Sequence, residues 1–255
     1  MSSPLRETVT QALLLTETVF ADVLPPHLAA RVVLDINARA KRVSLRVDPV
    51  NGCIVLVRPK RMSERMVTAF VTSRVDWIAE HLANLEPRSP FADGVTIPYR
   101  GEDHTLRWRP EAKGGVWRDA DARKINVTGK AEHSARRLRD WLKAEARTAL
   151  SARIHAMAES LNVNVTRLSV RDTCSRWGSC NRAGKLSFSW RLILAPDEVL
   201  TYVAAHEIAH LKEMNHSPAF WRTVETVLRT ANDQIDLELA RAWLRRGGAT
   251  LHRYG

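Results

Sequence analysis

Thr201-Tyr-Val-Ala-Ala-His-Glu-Ile-Ala-His-Leu-Lys-Glu-Met-Asn-His216 contains an apolar run, Tyr202–Leu211, that is interrupted only by two histidines and a glutamate. The apolar residues predict a core helix, in which polar side chains need a specific partner. Residues four apart lie one above the other on the same face of a helix. His206 and His210 can therefore direct one ring nitrogen each at a single ion, with Glu207 beside them.

This spacing is the H-E-x-x-H motif, in which two histidines ligate zinc and the glutamate is a general base. His216 is the predicted third ligand, because a catalytic zinc uses three protein ligands and keeps one position open. Glu225, in the following helix, is the alternative third ligand. We prefer His216, since an imidazole at the helix exit needs one turn to reach the ion. A chance cluster of core histidines is the structural alternative.

The chain has 255 residues, of which 45% are hydrophobic, enough for one large domain or two small ones. The formal net charge is +11 and the isoelectric point is near 10.2. Such a charge is compatible with nucleic acid, anionic surfaces or acidic substrates as partners, and also with a solvated arginine-rich surface. Basic residues are concentrated in 31–75, which is the predicted docking surface if nucleic acid is a partner. Aromatic residues are sparse there, which argues against base stacking.

The cysteines and the hydrophobic runs predict a cytoplasmic protein without a membrane segment. Cys53, Cys174 and Cys180 form neither a disulfide framework nor a Cys-x-x-Cys zinc pattern, which suits a reducing compartment. The apolar residues near the N-terminus are interrupted by Glu17 and Asp22. They are too few to span a bilayer and lack the layout of a signal peptide.

The first half of the chain is predicted to contain a weakly specified leader, residues 1–28, and a strand-rich region with one helix, residues 29–130. Prolines 25 and 26 end the leader. The pattern of β-branched residues, turn residues and helical spacing predicts strands over 31–36, 42–47, 53–57, 95–98, 104–108 and 124–127, and a helix over 64–85.

The second half, residues 131–255, is predicted to hold the metal site. A long helix over 134–161 is expected to back a sheet with strands over 167–170 and 185–194. Asp197 is expected to open the metal helix as N-cap or first-turn acid. A left-handed residue at Asn215 is expected to end it and to return His216 to the metal. Further helices are predicted from Ser217 and over 233–246.

Two further motifs accompany the metal helix. One is Arg176-Trp177-Gly178-Ser179-Cys180, in a loop that Trp177 is expected to anchor, and it is followed by Trp190-Arg-Leu-Ile-Leu-Ala-Pro196. The other is Asn215-His216-Ser217-Pro218-x-Phe220-Trp221. With H-E-x-x-H, these residues make the chain resemble the YgjP-like zinc metallopeptidases over about residues 30–245. That family is similar to the SprT-like and WLM proteases, which act on proteins crosslinked to DNA.

The resemblance implies an α+β fold. Its zincin-like core would contain a backing helix, a short twisted sheet and the H-E-x-x-H helix, preceded by the strand-rich segment with one helix. It also implies that His206, His210 and His216 bind zinc. Metzincins have a histidine at the same spacing but a glycine midway, where this chain has Glu213. We therefore do not assign the chain to the metzincins.

The resulting hypothesis is hydrolysis of a protein or peptide substrate, with Glu207 transferring a proton from water to the leaving amine. An extended substrate is expected to pair with a sheet edge near Ser187–Arg191. Arg176, Arg191 and Tyr202 are the candidate groups that stabilise the transition state.

Two other classes of function remain as alternatives. The first is a nucleic-acid-associated protein whose protease core acts on DNA-bound proteins and docks through residues 31–75. The second is a structural zinc module without catalysis. That module would need a fourth ligand, for which Cys174 and Cys180 are the candidates.

Overall fold

A computed structural model describes residues 23–48, 51–85, 88–173, 176–231 and 235–255. The chain forms two compact units that divide between Arg88 and Ser89. Both units combine helices and strands, in agreement with the predicted α+β class. The division differs from the predicted boundary at residue 130. Residues 1–22 of the predicted leader lie outside the described residues.

The described residues of the first unit form a three-stranded sheet and three helices. Its strand β3 is central, parallel to β1 and antiparallel to β2. Ile54 and Leu56 of β3 are fully buried, and Leu24 and Leu28 of the predicted leader pack into the same core. The elements are α1 (Pro26–Ala29), β1 (Val32–Asn37), β2 (Ser44–Asp48), β3 (Cys53–Pro59), α2 (Glu64–Thr72) and α3 (Val75–Ala83).

The helix predicted over 64–85 is two helices, because the chain breaks between α2 and α3. The Ser73 hydroxyl donates to the Phe70 carbonyl at 2.8 Å. Such a local bond competes with helix propagation. Arg74 then leaves the helical region at φ −127° and ψ 12°. Hydrophobic spacing alone did not reveal this break, since both helices bury residues in the same core.

The second unit begins with a four-stranded sheet in the order β4-β5-β7-β6. β5 and β7 are parallel, and the other neighbours are antiparallel. β6 was not predicted because it is short and mostly exposed. The strands are β4 (Thr96–Tyr99), β5 (Glu102–Arg109), β6 (Val116–Asp119) and β7 (Lys124–Thr128).

A long helix and a three-stranded sheet follow, and they position the candidate site. The sheet has the order β8-β10-β9, with β10 parallel to β8 and antiparallel to β9. The remaining elements are α4 (Ala131–Leu161), β8 (Arg167–Arg171), β9 (Gly178–Cys180), β10 (Lys185–Ser189), a 3₁₀ segment (Trp190–Leu194), α5 (Asp197–Ala209), α6 (Pro218–Ala231), α7 (Leu237–Gly247) and a C-terminal 3₁₀ segment (Gly248–Arg253).

Helix α4 carries one buried face, because its apolar residues recur every three or four positions. That face and both sheets of the second unit share one core. Ile97, Leu106 and Ile125 of the four-stranded sheet belong to it. A boundary at residue 130 would cut through this core, which is why the division lies earlier in the chain.

The strand predicted over 185–194 ends at Ser189 and continues as a 3₁₀ segment. All five residues of that segment, Trp190–Leu194, are buried, so its sequence carries no contrast between two faces that could mark the change. The segment contacts α4 and leads directly into α5.

The start of α5 is fixed by two arginines that come from distant parts of the chain. Arg100 donates to both oxygens of Asp197, at 2.8 and 2.7 Å, and Arg153 of α4 binds the same carboxylate. Pro196 is the N-cap residue, so Asp197 is the first-turn acid of the two alternatives. Its charge also favours the positive end of the helix dipole.

Among the described residues, none of the helices is both long enough and apolar enough to cross a membrane.

Removal of a side chain from the buried face of α4 should destabilise the second unit. We expect Leu150→Ala to lower the free energy of unfolding by about 2–5 kcal/mol, because it leaves a cavity. Arg147→Ala, at an exposed position of the same helix, should change it by less than about 0.5 kcal/mol. Tryptophan fluorescence during urea unfolding is the measurement, since Trp77 is the one tryptophan before Ser89. Equal effects of the two variants would contradict the role assigned to this face.

Candidate metal centre

Helix α5 places His206 and Glu207 in its last turn, and it is buried on nearly every side. The helix ends at Ala209, earlier than the sequence predicted, and His210 is its C-cap residue. His210 keeps right-handed helical angles, φ −61° and ψ −19°. The four-residue relation between the two histidines therefore holds.

The turn that returns His216 differs from the predicted one. Backbone bonds from Leu211, Lys212 and Glu213 to the last helical carbonyls reverse the chain directly after α5. The backbone of Asn215 does not have a positive φ, so this residue is not in the left-handed conformation. The prediction of a left-handed residue at Asn215 is therefore wrong, and none of residues 211–216 has a positive φ.

The structure brings the three predicted histidines together. One ring nitrogen from each of His206, His210 and His216 lies within 4.8 Å of the others. The Nε2 atoms of His206 and His216 are 3.2 Å apart. The His210 Nδ1 atom lies 3.1 Å from the Glu213 carbonyl, to which it can donate. That bond orients the ring and leaves Nε2 with its lone pair towards the cluster.

Aromatic side chains of α6 form one wall of the histidine cluster. The Phe220 ring centroid lies 4.6–4.9 Å from the centroids of all three imidazoles. Trp221 lies 5.9 Å from His206 and 6.0 Å from His216. This contact explains why the motif that follows His216 contains two adjacent aromatic residues.

The electrostatic environment favours neutral imidazoles, the form that binds metal ions. Burial, together with the charges of the neighbouring His210 and His216, lowers the pKa of His206 to about 4. Burial also lowers the pKa of His210.

Glu207 is buried, with 7% of its surface exposed. Burial raises the pKa of its carboxyl to about 7, and the charge of Arg176 opposes this rise. The carboxylate lies against the backbone of Gly178 in β9. A Cβ atom at that position would stand 2.5 Å from Cγ and 2.6 Å from Oε1 of Glu207. Only glycine fits there, a requirement that the sequence analysis missed although it singled out the surrounding motif.

Trp177 anchors the described part of the loop before β9, as the sequence predicted. The indole stacks on His252 with centroids 4.9 Å apart and an interplanar angle of 21°. The Ser189 amide donates to the Trp177 carbonyl at 2.9 Å. The Ser189 hydroxyl donates to the Thr173 carbonyl at 3.3 Å. The C-terminal 3₁₀ segment thus supports the loop that carries Gly178.

Arg191 is not available to a substrate, which corrects its predicted role as a transition-state contact. Its side chain is 2% exposed and forms an ion pair with Asp172. It also donates to the Tyr254 carbonyl at 3.3 Å and lies over the Trp190 ring at 4.4 Å. The reason is that the predicted strand has become a 3₁₀ segment, which turns this residue inwards.

The other two candidate contacts lie near the cluster. Arg176 is exposed and close enough to Glu207 to affect its ionisation. Tyr202 is buried with its ring edge towards His206, at a centroid distance of 6.0 Å. Burial raises the pKa of its hydroxyl.

The sheet edge next to the cluster is β9 and not the predicted one. Residues Ser187–Ser189 lie in β10, which is paired on both sides, and therefore cannot accept another strand. β9 lies at the edge of the sheet and contacts α5. The error arose because three residues, Gly178–Cys180, are too few to show a strand pattern in the sequence.

The two alternative ligands that lie within the described residues, Glu225 and Cys180, do not join the histidine cluster. Glu225 is exposed on α6 and pairs with Arg229 at 3.5 Å. The Cys180 thiol donates to the Asn181 carbonyl, and burial raises its pKa to about 11. Cys174 lies outside the described residues. Within the described part of the chain, no Cys, Asp or Glu joins the three histidines.

The basic residues predicted over 31–75 are mostly exposed in the first unit. Arg31 and Arg58 are exceptions, since they donate to backbone carbonyls of the same unit. Nucleic-acid docking there stays a prediction. The exposed residues are Arg39, Lys41, Arg42, Arg46, Lys60, Arg61, Arg65 and Arg74.

Comparison with known proteins places this site in a recognised family. The family model described as YgjP-like, metallopeptidase domain matches residues 41–245. Among solved structures, the crystal structure of the metallopeptidase zymogen of Pyrococcus abyssi abylysin is 22% identical, with a TM-score of 0.29. The match covers 35% of this chain and 94% of that chain. No curated protein matches the chain.

The contact between Gly178 and Glu207 can be tested without an activity assay. We expect Gly178→Ala to lower the free energy of unfolding by about 1–3 kcal/mol, because the new methyl group overlaps the carboxylate. In a Glu207→Ala background the same change should be much less destabilising, since the clash is removed. Gly247→Ala is the control, because nothing lies within 4 Å of a Cβ atom there. A similar loss in both backgrounds would show that the overlap does not involve Glu207.

Proposed function

Since the chain belongs to the YgjP-like metallopeptidase family, we propose that it is a zinc peptidase in which Glu207 is the general base. The observation that carries the proposal is the buried Glu207 carboxylate beside three converging imidazoles. A carboxylate is rarely buried without a partner unless its chemistry requires that position. The order of α4, the β8-β10-β9 sheet and α5 further supports a zincin-like core.

The donor set supports zinc as the metal. Zinc binds imidazole nitrogen at about 2.0–2.1 Å in tetrahedral geometry, so two ligand nitrogens are about 3.3 Å apart. His206 and His216 present their Nε2 atoms at a separation of 3.2 Å. Three histidines leave the fourth position open, whereas a structural site would use four protein ligands. Among the described residues, Cys180 does not join the three histidines, which argues against the structural alternative.

When bound, zinc would supply a Lewis acid that acidifies water and polarises a carbonyl group. Glu207 would accept the proton of the attacking water and deliver it to the leaving amine. Gly178 would hold the carboxylate in place by leaving no space behind it. Phe220 and the rest of the aromatic wall would keep bulk water from one side of the reacting groups.

The edge of β9 would hold the substrate in an extended conformation. An added strand makes main-chain hydrogen bonds to an exposed edge, which fixes the scissile bond in register. Because β9 contacts α5, such a strand would run beside the metal helix. Arg176, whose charge acts on Glu207, and Tyr202, whose ring contacts His206, would be the groups that stabilise negative charge on the carbonyl oxygen.

Zinc binding should depend on His216 and not on Glu225. We expect about one zinc ion per chain in the wild-type protein and in Glu225→Ala. His216→Ala should bind zinc at least about a hundredfold more weakly, because it removes a direct ligand. Elemental analysis and competition with a chelator give the two measurements. If zinc were retained in His216→Ala and lost in Glu225→Ala, the third ligand would be Glu225 and not His216.

Hydrolysis should depend on the Glu207 carboxylate. Glu207→Gln keeps the shape of the side chain but cannot accept a proton, so we expect activity to fall at least about a hundredfold while zinc content is unchanged. A peptide mixture incubated with the zinc-loaded protein and analysed by mass spectrometry reports cleavage directly. Full activity in Glu207→Gln would show that Glu207 is not the general base. A wild-type protein that holds zinc but cleaves nothing in the mixture would count against peptidase activity.

A further inference from the structure

The outer face of the β8-β10-β9 sheet forms a cavity of about 500 Å³. Side chains alternate between the two faces of a strand. Leu168, Val170, Leu186 and Phe188 face the core. Their neighbours in the two strands therefore face outwards, except Ser189, which is buried at the end of β10. Those that face outwards are polar or charged. The outward residues of β8 and β10 that line the cavity are Arg167, Ser169, Arg171, Lys185 and Ser187.

The strand register arranges these residues in rows. Ser169, Ser187 and Ser179 lie opposite one another across the three strands. Arg167 and Lys185 form the next row on one side, about 7 Å away along the strands. Arg171 lies at a similar distance on the other side. A row of small hydroxyl groups is thus flanked by cations at both ends, which leaves room for a ligand between them.

The cations of this cavity form no salt bridge with another described residue. They are Arg167, Arg171, Arg176 and Lys185, and none of the described residues that line the cavity is an aspartate or glutamate. Other arginines of the same unit do have carboxylate partners, as in the Arg153–Asp197 pair. Like charges brought together without a counter-charge repel one another, so the site favours an anionic ligand.

The cavity adjoins the candidate metal centre through β9. Gly178 faces Glu207, and Ser179, the next residue, lines the cavity on the other face. Arg176 lines the cavity and also influences Glu207. A polypeptide paired with the edge of β9 would alternate in the same way. Every second side chain would point to the cavity side, where the cations lie.

We propose that this cationic face binds acidic side chains of the substrate polypeptide and gives cleavage a preference for Asp or Glu at alternate positions. The inference rests on the proposed peptidase function. A polypeptide is favoured over nucleic acid for two reasons. The cavity has the size of a site for a few side chains. None of the described residues that line it has an aromatic ring on which a base could stack.

Binding can be measured without turnover in the zinc-loaded Glu207→Gln protein. The probe is a fluorescein-labelled peptide with Glu at every second position, compared with the same peptide carrying Gln. We expect the Glu peptide to bind more tightly. Arg171→Gln with Lys185→Gln should weaken its binding about tenfold, since two charge contacts are lost. Arg147→Gln with Lys113→Gln removes the same charges at exposed positions outside the cavity and should change binding by less than about twofold.

Equal weakening in both double variants would mean that net charge alone attracts the peptide, which would overturn the proposal. Equal binding of the Glu and Gln peptides would do the same. A single-stranded oligonucleotide of matched charge is the third probe. Suppose that the oligonucleotide binds where the Glu peptide does not, and that its binding is weakened by Arg171→Gln with Lys185→Gln but not by the control variant. In that case the ligand is nucleic acid and the proposal is wrong.

Cleavage sites in an unbiased peptide mixture separate this inference from the proposed function. Enrichment of Asp and Glu near the sites, lost in Arg171→Gln with Lys185→Gln but kept in the control variant, would support the inference. Cleavage without such enrichment would overturn the inference and leave the peptidase function standing. Absence of cleavage together with the expected binding of the Glu peptide would overturn the function and leave the cationic site.

Discussion

The structure depends on keeping three imidazoles and one carboxylate at the end of a buried helix. Polar groups in such a position destabilise a fold unless neighbouring atoms hold them in one arrangement. For α5 those neighbours come from several directions. Phe220 packs against all three imidazole rings, the Glu213 carbonyl orients His210, and Gly178 lies directly against Glu207. The centre is therefore a product of tertiary packing as much as of the helix that carries the motif.

The support extends to both ends of the second unit. At the start of α5, Arg100 and Arg153 bind Asp197, which ties the helix to the four-stranded sheet and to α4. Near the C-terminus, His252 stacks on Trp177, and the Tyr254 carbonyl accepts from Arg191. These contacts hold the chain that precedes β9. A substitution far from the histidines can therefore shift Gly178 and, with it, the carboxylate of Glu207.

Local patterns in the sequence were sufficient for the histidines and the long helices. His206 and His210 are four residues apart, which is about one helical turn, and the apolar residues of α4 recur on one face over many turns. Features that depend on distant partners were not predictable in this way. The order of three strands makes β10 central and β9 the edge, and no property of either strand alone determines that order. Arg191 was misplaced for the same reason.

The positive charge of the chain is a second feature whose role could not be predicted from the sequence. Composition gives an excess of 11 positive charges, but it does not separate arginines that stabilise the fold from those that remain available. Arg153 and Arg191 neutralise carboxylates inside the second unit, whereas Arg171 and Lys185, in the sheet that contains β9, form no salt bridge with another described residue. If the substrate strand pairs with β9, its backbone would be recognised by hydrogen bonds that every peptide can make. Discrimination between peptides must then come from side chains on either side of that strand, and the outer side is cationic.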